Sequence, residues 1–133
     1  MTKTPRYWRE NQSRYNMIGV KCKNCEKTYF PPRTMCPDCG RKSLGRMERL
    51  KFSGGGTVYS TTVVHEPHEQ YDMLKPYTIA LIELDEGAKI LSQVIDCEPG
   101  EVKIGMRVKS TLRKLGEDGK AGTIYYGYKF TKE

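Results

Sequence analysis

The sequence predicts a mainly β protein that begins with a helix and has a cysteine-rich segment between the helix and the β domain. Two observations support this fold class. Four of the five cysteines stand in two C-x-x-C pairs within residues 22–39. From residue 53 onward, short β-type runs are separated by turn residues, without a helical period of useful length.

The helix is predicted near the N-terminus. Thr4 is a suitable N-cap and Pro5 suits the first helical position, so the following residues, PRYWRENQSRY, favour a short helix that ends before Gly19. Trp8 and Tyr15 are seven residues apart and therefore share one face of this helix.

The aromatic residues of the helix have two interpretations. The helix could pack on its own β domain, or it could dock another protein, since Trp, Tyr and Arg are enriched at interface hot spots. On the second interpretation the candidate partner-binding residues are Tyr7, Trp8 and Tyr15. The sequence leaves both open.

The cysteine segment reads CKNC, then the ten residues EKTYFPPRTM, then CPDCG. Two C-x-x-C turns supply the four sulfur ligands of a tetrahedral zinc site, and such a site is structural because it has no open coordination position. A redox role for the pairs is the weaker alternative. Gly40 directly follows the second pair and suits a left-handed backbone conformation. Glu26 stands at the equivalent place after the first pair. The predicted ligands of one structural zinc are Cys22, Cys25, Cys36 and Cys39.

Five strand candidates follow, which are TVYSTTVVH, YTIALIEL, KILSQVID, MRVKSTLRKL and TIYYGYKF. Five strands with such spacing fit a small closed barrel, for which the oligonucleotide/oligosaccharide-binding (OB) fold is the leading prediction and a β sandwich the alternative. We therefore expect a helix at residues 1–17, a zinc ribbon at 18–50 and an OB-fold domain at 51–133.

The net charge of +7 is concentrated in the first part of the chain. Residues 1–51 contain thirteen Lys and Arg but only four Asp and Glu. Zinc bound by four thiolates carries a local charge of −2, because the sulfurs must be deprotonated. The neighbouring cations could balance that charge, or they could form a surface for an anion. They are Lys21, Lys23, Lys27, Arg41 and Lys42.

The chain has no apolar run long enough for a membrane span or a signal peptide, so a cytoplasmic location without membrane contact is expected. No catalytic site is predicted. His65 and His68 are three residues apart with Pro67 between them, which does not fit the helical zinc-protease pattern. Cys97 has no base beside it, and Gly54–Gly56 is expected to make a bend into the barrel.

Nucleic-acid binding is the alternative function, since OB barrels often bind single strands through aromatic residues on a basic groove. Only one predicted strand, MRVKSTLRKL, alternates basic and apolar residues. The strand YTIALIEL has apolar residues on both faces. Nucleic acid is therefore not the expected partner.

The ordered motifs resemble a family of small zinc-ribbon and OB-fold proteins associated with thiolases and other acyl-CoA enzymes. The resemblance spans nearly the whole chain. It rests on the YW of the helix and on four segments: CKNCEKTYFPPRTMCPDCG, SGGGTVYSTTVVHEP, PYTIALIELDEGAKIL and IGMRV. Glu26, where the family often has glycine, is a minor departure.

The resemblance implies a rubredoxin-like zinc ribbon and a non-enzymatic accessory subunit. It further implies a hetero-oligomer in which this scaffold bridges acetoacetyl-CoA thiolase and 3-hydroxy-3-methylglutaryl-CoA synthase of the mevalonate route to isoprenoids. The basic N-terminal half would then be a candidate surface near CoA phosphates. We expect the zinc to hold the ribbon and the helix out from the barrel, where partner enzymes can reach them.

Overall fold

The computed structural model describes residues 4–133. In these residues one α-helix precedes eight strands, and the predicted fold class is confirmed. The helix is α1 (Thr4–Asn16), and the strands are β1 (Ile18–Cys22), β2 (Thr28–Tyr29), β3 (Met47–Lys51), β4 (Gly55–Val64), β5 (Tyr77–Leu84), β6 (Lys89–Ile95), β7 (Arg107–Glu117) and β8 (Ile124–Lys132). No helix within this range is long and apolar enough to cross a membrane.

Helix α1 ends at Asn16 because Met17 takes a left-handed backbone conformation, with φ of 51°, before β1 begins. The backbone of Thr4 is described but its side chain is not, so the predicted capping by that side chain lies outside what the structure describes. The helix packs against β8, where the Tyr7 and Tyr125 ring centroids are 4.3 Å apart. The expectation that the helix is held out from the barrel was therefore wrong.

The segment with the C-x-x-C pairs contains a three-stranded antiparallel sheet in the order β2-β1-β3. Strand β1 lies at its centre, and Val20 pairs with Tyr29 on one side and with Arg49 on the other. This sheet begins directly after α1 and ends directly before the barrel.

The five remaining strands form a closed barrel in the order β4-β5-β6-β8-β7, and pairing of β4 with β7 closes it. All neighbours are antiparallel except β6 and β8, which run parallel at Val94 and Phe130. The five predicted strands are thus confirmed, and the alternative sandwich is wrong. Within the predicted loop between β4 and β5, residues Glu69–Leu74 form a 3₁₀ helix.

The glycine run at the start of β4 permits close approach to its neighbours. A Cβ atom on Gly54, whose φ is 84°, would lie 2.1 Å from the Ser110 Oγ atom of β7. A Cβ atom on Gly56 would lie 2.8 Å from the Glu83 carbonyl oxygen of β5. Both positions require glycine because a side chain would collide with the adjacent strands.

One hydrophobic core joins the cysteine-rich segment to the barrel. Phe30 packs edge-on against Phe52 and Tyr128, with ring centroids 5.8 and 5.2 Å apart. Phe30 and Phe52 belong to the same buried cluster as barrel residues such as Ile82 and Phe130. The segment is therefore seated on the barrel, which also corrects the expectation that it is held away.

Candidate zinc site

The two C-x-x-C pairs converge on one point. Cys22 ends β1, Cys25 lies in the turn that follows, and the second pair immediately precedes the 3₁₀ turn Gly40–Ser43. The Sγ atoms of all four cysteines lie within 4.8 Å of one another. The pairs thus form a single cluster, which favours metal binding over two separate redox pairs.

The geometry and chemistry of this donor set fit zinc. The Sγ atoms of Cys25 and Cys36 are 3.6 Å apart. A tetrahedral shell with zinc–sulfur bonds of about 2.3 Å requires sulfurs separated by about 3.8 Å. The structure thus supports one structural zinc ion in a closed, all-sulfur site.

The two cysteine turns have the same backbone form. The amide of Glu26 donates to the Cys22 carbonyl oxygen at 2.8 Å, and the amide of Gly40 donates to the Cys36 carbonyl oxygen at 2.9 Å. Glu26 and Gly40 both have left-handed backbones, with φ of 63° and 52°. Glycine accepts this conformation freely, whereas Glu26 adopts it at a cost in energy.

Neighbouring groups stabilise negative charge on two of the four sulfurs, those of Cys36 and Cys39. The Tyr29 hydroxyl lies 3.2 Å from the Cys36 Sγ atom, and this hydrogen bond, together with backbone amides of Cys39 and Asp38, lowers the pKa of the Cys36 thiol to about 6. The Asn24 side-chain amide donates to the Cys39 Sγ atom at 3.1 Å. Tyr29 and Asn24 therefore favour the thiolates that zinc needs.

Ser43 stabilises the second cysteine turn through hydrogen bonds of its side chain, and the sequence analysis did not predict this role. Its side chain is fully buried, and its Oγ atom accepts a hydrogen bond from the Cys36 amide at 2.8 Å. The same hydroxyl donates to the Gly40 carbonyl oxygen at 2.6 Å. A serine seven residues after a metal-ligating cysteine has no distinctive sequence signal, because the contact depends on the 3₁₀ turn between them.

The basic residues around the cluster are partly paired with carboxylates. Lys27 contacts Asp38 at 2.6 Å, and Lys23 contacts Glu48 at 3.6 Å. The Lys27 ammonium lowers the pKa of the Asp38 carboxyl group below its usual value. Part of the positive charge counted in the sequence is therefore neutralised within the segment itself.

The candidate partner-binding residues of α1 divide between its two sides. Tyr7 faces inward against Tyr125, and the Arg14 guanidinium lies 4.8 Å from the Tyr7 ring centroid. Trp8 is 77% exposed and Tyr15 is 41% exposed. The helix therefore packs on its own barrel through one side and presents two aromatic residues to solvent on the other.

Within the part of the chain that the structure describes, the remaining reactive side chains do not assemble into a second site. His65 and His68 are exposed, and Cys97 is half-buried beside the core, where burial and the nearby Glu101 raise its pKa. Among residues 4–133, the four-cysteine cluster is the only group of three or more His, Cys, Asp or Glu side chains placed to hold a metal.

The basic strand β7 carries less free charge than its sequence indicates. Arg107 forms two hydrogen bonds with the Asp85 carboxylate, at 2.6 and 3.0 Å. Arg113 contacts Asp96 at 2.9 Å, a further pairing on the same strand. These ion pairs reduce the positive potential available to a nucleic-acid backbone.

The helix, the four-cysteine segment and the closed five-stranded barrel define a zinc-ribbon and OB-fold protein. Family comparison agrees: residues 14–45 match the model described as ChsH2, rubredoxin-like zinc ribbon domain, and residues 51–113 match ChsH2, C-terminal OB-fold domain. A DUF35 domain-containing scaffold protein of Methanothermobacter thermautotrophicus is 45% identical over 98% of this chain and 96% of its own length. The chain therefore belongs to the DUF35 family.

Two further relatives have more specific names. The benzoylsuccinyl-CoA thiolase subunit BbsA of Thauera aromatica is 29% identical over 86% of this chain and 74% of its own length. The solved structure called Ltp2-ChsH2(DUF35) aldolase superposes with a TM-score of 0.68 at 27% identity, covering 99% of this chain and 96% of that one.

Proposed function

We propose that this protein is a non-catalytic accessory subunit that bridges acetoacetyl-CoA thiolase and 3-hydroxy-3-methylglutaryl-CoA synthase in a hetero-oligomer of the mevalonate pathway. The relatives that are named DUF35 domain-containing scaffold proteins support the accessory role. One relative is named as a thiolase subunit and a similar structure as an aldolase, so acyl-CoA enzymes are the partner class we infer.

The observation that carries the proposal is the exposed aromatic side of α1. Trp8 is 77% exposed although the helix itself is fixed to the barrel through Tyr7 and Tyr125. A tryptophan on a firmly seated helix loses little conformational entropy when a partner covers it, and such residues are typical interface hot spots. We propose Trp8 and Tyr15 as partner contacts and exclude Tyr7, which packs internally.

The four cysteines serve this function indirectly. We propose that Cys22, Cys25, Cys36 and Cys39 hold one zinc ion that fixes the ribbon next to α1. Arg41 and Lys42 lie exposed beside this site, and we propose them as candidates for contact with CoA phosphates bound by a partner enzyme. The protein supplies a surface and no acid, base or nucleophile of its own.

Co-purification tests the proposal. Tagged protein incubated with lysate of its native organism should recover the thiolase or the synthase, identified by mass spectrometry. The double variant Trp8→Ala/Tyr15→Ala should lose this recovery, whereas Tyr59→Ala, which removes a half-exposed tyrosine from β4, should retain it. Recovery of neither enzyme by the wild-type protein would contradict the partner assignment.

Nucleic-acid binding is disfavoured as a second function by the ion pairs of β7. Counterion release would make such binding fall steeply with salt. We expect no retention of labelled single-stranded DNA or RNA, even at low salt.

A further inference from the structure

A cleft of about 310 Å³ lies on the outer surface of the barrel, and a buried lysine forms part of its wall. Strands β5, β6, β7 and β8 line it together with the 3₁₀ helix before β5. Most of its wall is apolar or aromatic. The residues of this kind are Tyr71, Tyr77, Ile79, Leu91, Leu115 and Tyr128.

Lys129 is the unusual member of this wall. Only 8% of the residue is exposed, and among the described residues it makes no hydrogen bond and no ion pair. Burial, together with the nearby Arg113, lowers the pKa of its ammonium group. The side-chain stem is buried, but the ammonium nitrogen keeps contact with solvent, so the charge stays partly hydrated. Lys129 therefore leaves a positive charge at the cleft without a carboxylate to balance it.

The other cation at the cleft is already engaged. Arg14 lines the same cleft, but its guanidinium contacts the Glu10 carboxylate at 2.5 Å and lies over the Tyr7 ring. One uncompensated positive charge thus faces an apolar and aromatic wall. This combination complements a single negative charge attached to an apolar body.

We propose that the cleft binds a small organic carboxylate, with the carboxylate group beside Lys129 and the aliphatic or aromatic body against Tyr71 and Tyr77. The two tyrosine ring centroids are 6.2 Å apart, and together they form one apolar side of the cleft. The site is separate from the scaffold role and does not depend on it.

The size of the cleft limits the ligand. Its volume is at the lower end of the range of about 300 to 1,000 Å³ that is usual for ligand pockets. A carboxylate of roughly ten non-hydrogen atoms is therefore the appropriate size. A second cleft of about 170 Å³ shares Tyr77, Gln93 and Lys129 with the first, so additional space adjoins the same lysine.

The test is a titration of the zinc-loaded, isotope-labelled full chain with octanoate, followed by amide chemical shifts. Octanamide is the neutral probe of the same size, and inorganic phosphate is an anion without an apolar body. We expect saturable shifts at the cleft residues with octanoate, and at least about tenfold weaker binding of both control probes, because a charge-assisted hydrogen bond and apolar contact are both needed.

Two matched variants test whether Lys129 supplies the positive charge that binds the carboxylate. Lys129→Met should weaken octanoate binding at least about tenfold, whereas Lys109→Met, an exposed position on β7, should leave it unchanged. Equal affinity for octanoate and octanamide, or the absence of saturable binding at millimolar concentration, would overturn the proposal. The comparison of probes on the wild-type protein decides the question even if Lys129→Met fails to fold.

Discussion

The ring of Phe30, from the cysteine-rich segment, packs edge-on against the ring of Tyr128 on the last barrel strand, with centroids 5.2 Å apart. Phe30 follows β2 directly, so this contact ties the zinc ribbon to the barrel core. The two parts share one buried cluster, and we infer that they unfold together.

Phe30→Ala should test this coupling. Removing a buried phenylalanine ring leaves a cavity and is expected to lower the free energy of unfolding by about 3 kcal/mol. Urea denaturation followed by circular dichroism of the barrel should show the loss. Leu44→Ala, at an exposed apolar residue of the ribbon, should change stability by less than about 0.5 kcal/mol. An unchanged midpoint for Phe30→Ala would show that ribbon and barrel are energetically separate.

Tyr29→Phe should weaken zinc binding without preventing it. The substitution keeps the ring but removes the hydroxyl that lies 3.2 Å from the Cys36 Sγ atom, so the thiolate loses a stabilising hydrogen bond. Loss of such an outer contact typically lowers metal affinity about tenfold or more. Competition with a chromophoric chelator should measure the change.

Metal analysis supplies the controls for that measurement. Pure wild-type protein should contain about one zinc ion per chain, Cys36→Ser should lose it, and Cys97→Ser should retain it, because Cys97 lies outside the cluster. Zinc retained in full by Cys36→Ser would contradict the assignment of the donor set.

Glu26→Gly should stabilise the zinc-loaded protein by about 1 kcal/mol. Glu26 has a φ of 63°, a conformation that is costly for residues with a Cβ atom and free for glycine. Gly40→Ala makes the opposite change at the equivalent position of the second turn, where φ is 52°, and should destabilise by a similar amount. Thermal unfolding of the three zinc-loaded proteins gives the comparison, and a lower midpoint for Glu26→Gly would contradict the strain argument.

Local patterns were sufficient to predict much of this structure from sequence. The two C-x-x-C pairs identify the sulfur cluster because each short turn directs both sulfurs to one point, and short β-type runs between turn residues identify all five barrel strands. Spacing alone also shows that Glu26 and Gly40 stand at equivalent positions of the two cysteine turns. These features depend on residues close together in the chain.

Long-range contacts were the part that sequence did not reveal. Tyr7 and Tyr125 are more than a hundred residues apart, so the side of α1 that packs on the barrel could not be chosen from helical spacing. The same limit applies to Lys129, because the pattern of its strand alone would predict an exposed polar side chain. It is buried only because the 3₁₀ helix before β5 and the neighbouring strands surround the cleft.

Lys129→Met should raise the stability of the ligand-free protein by less than about 1 kcal/mol near neutral pH, because a partly desolvated ammonium without an ion-pair partner is replaced by an apolar chain of similar length. The pKa of Lys129 is lower in the folded state than its usual value of 10.5, so the unfolded chain binds more protons between these two pKa values. The free energy of unfolding of the wild-type protein therefore increases as pH rises through that window.

The stability difference between Lys129→Met and the wild type should shrink over the same pH range. Lys109→Met, at an exposed lysine, should match the wild type throughout. Chemical denaturation of the three proteins between pH 7 and pH 10 measures this difference, and a stability gap that stays constant with pH would show that Lys129 titrates normally in the fold.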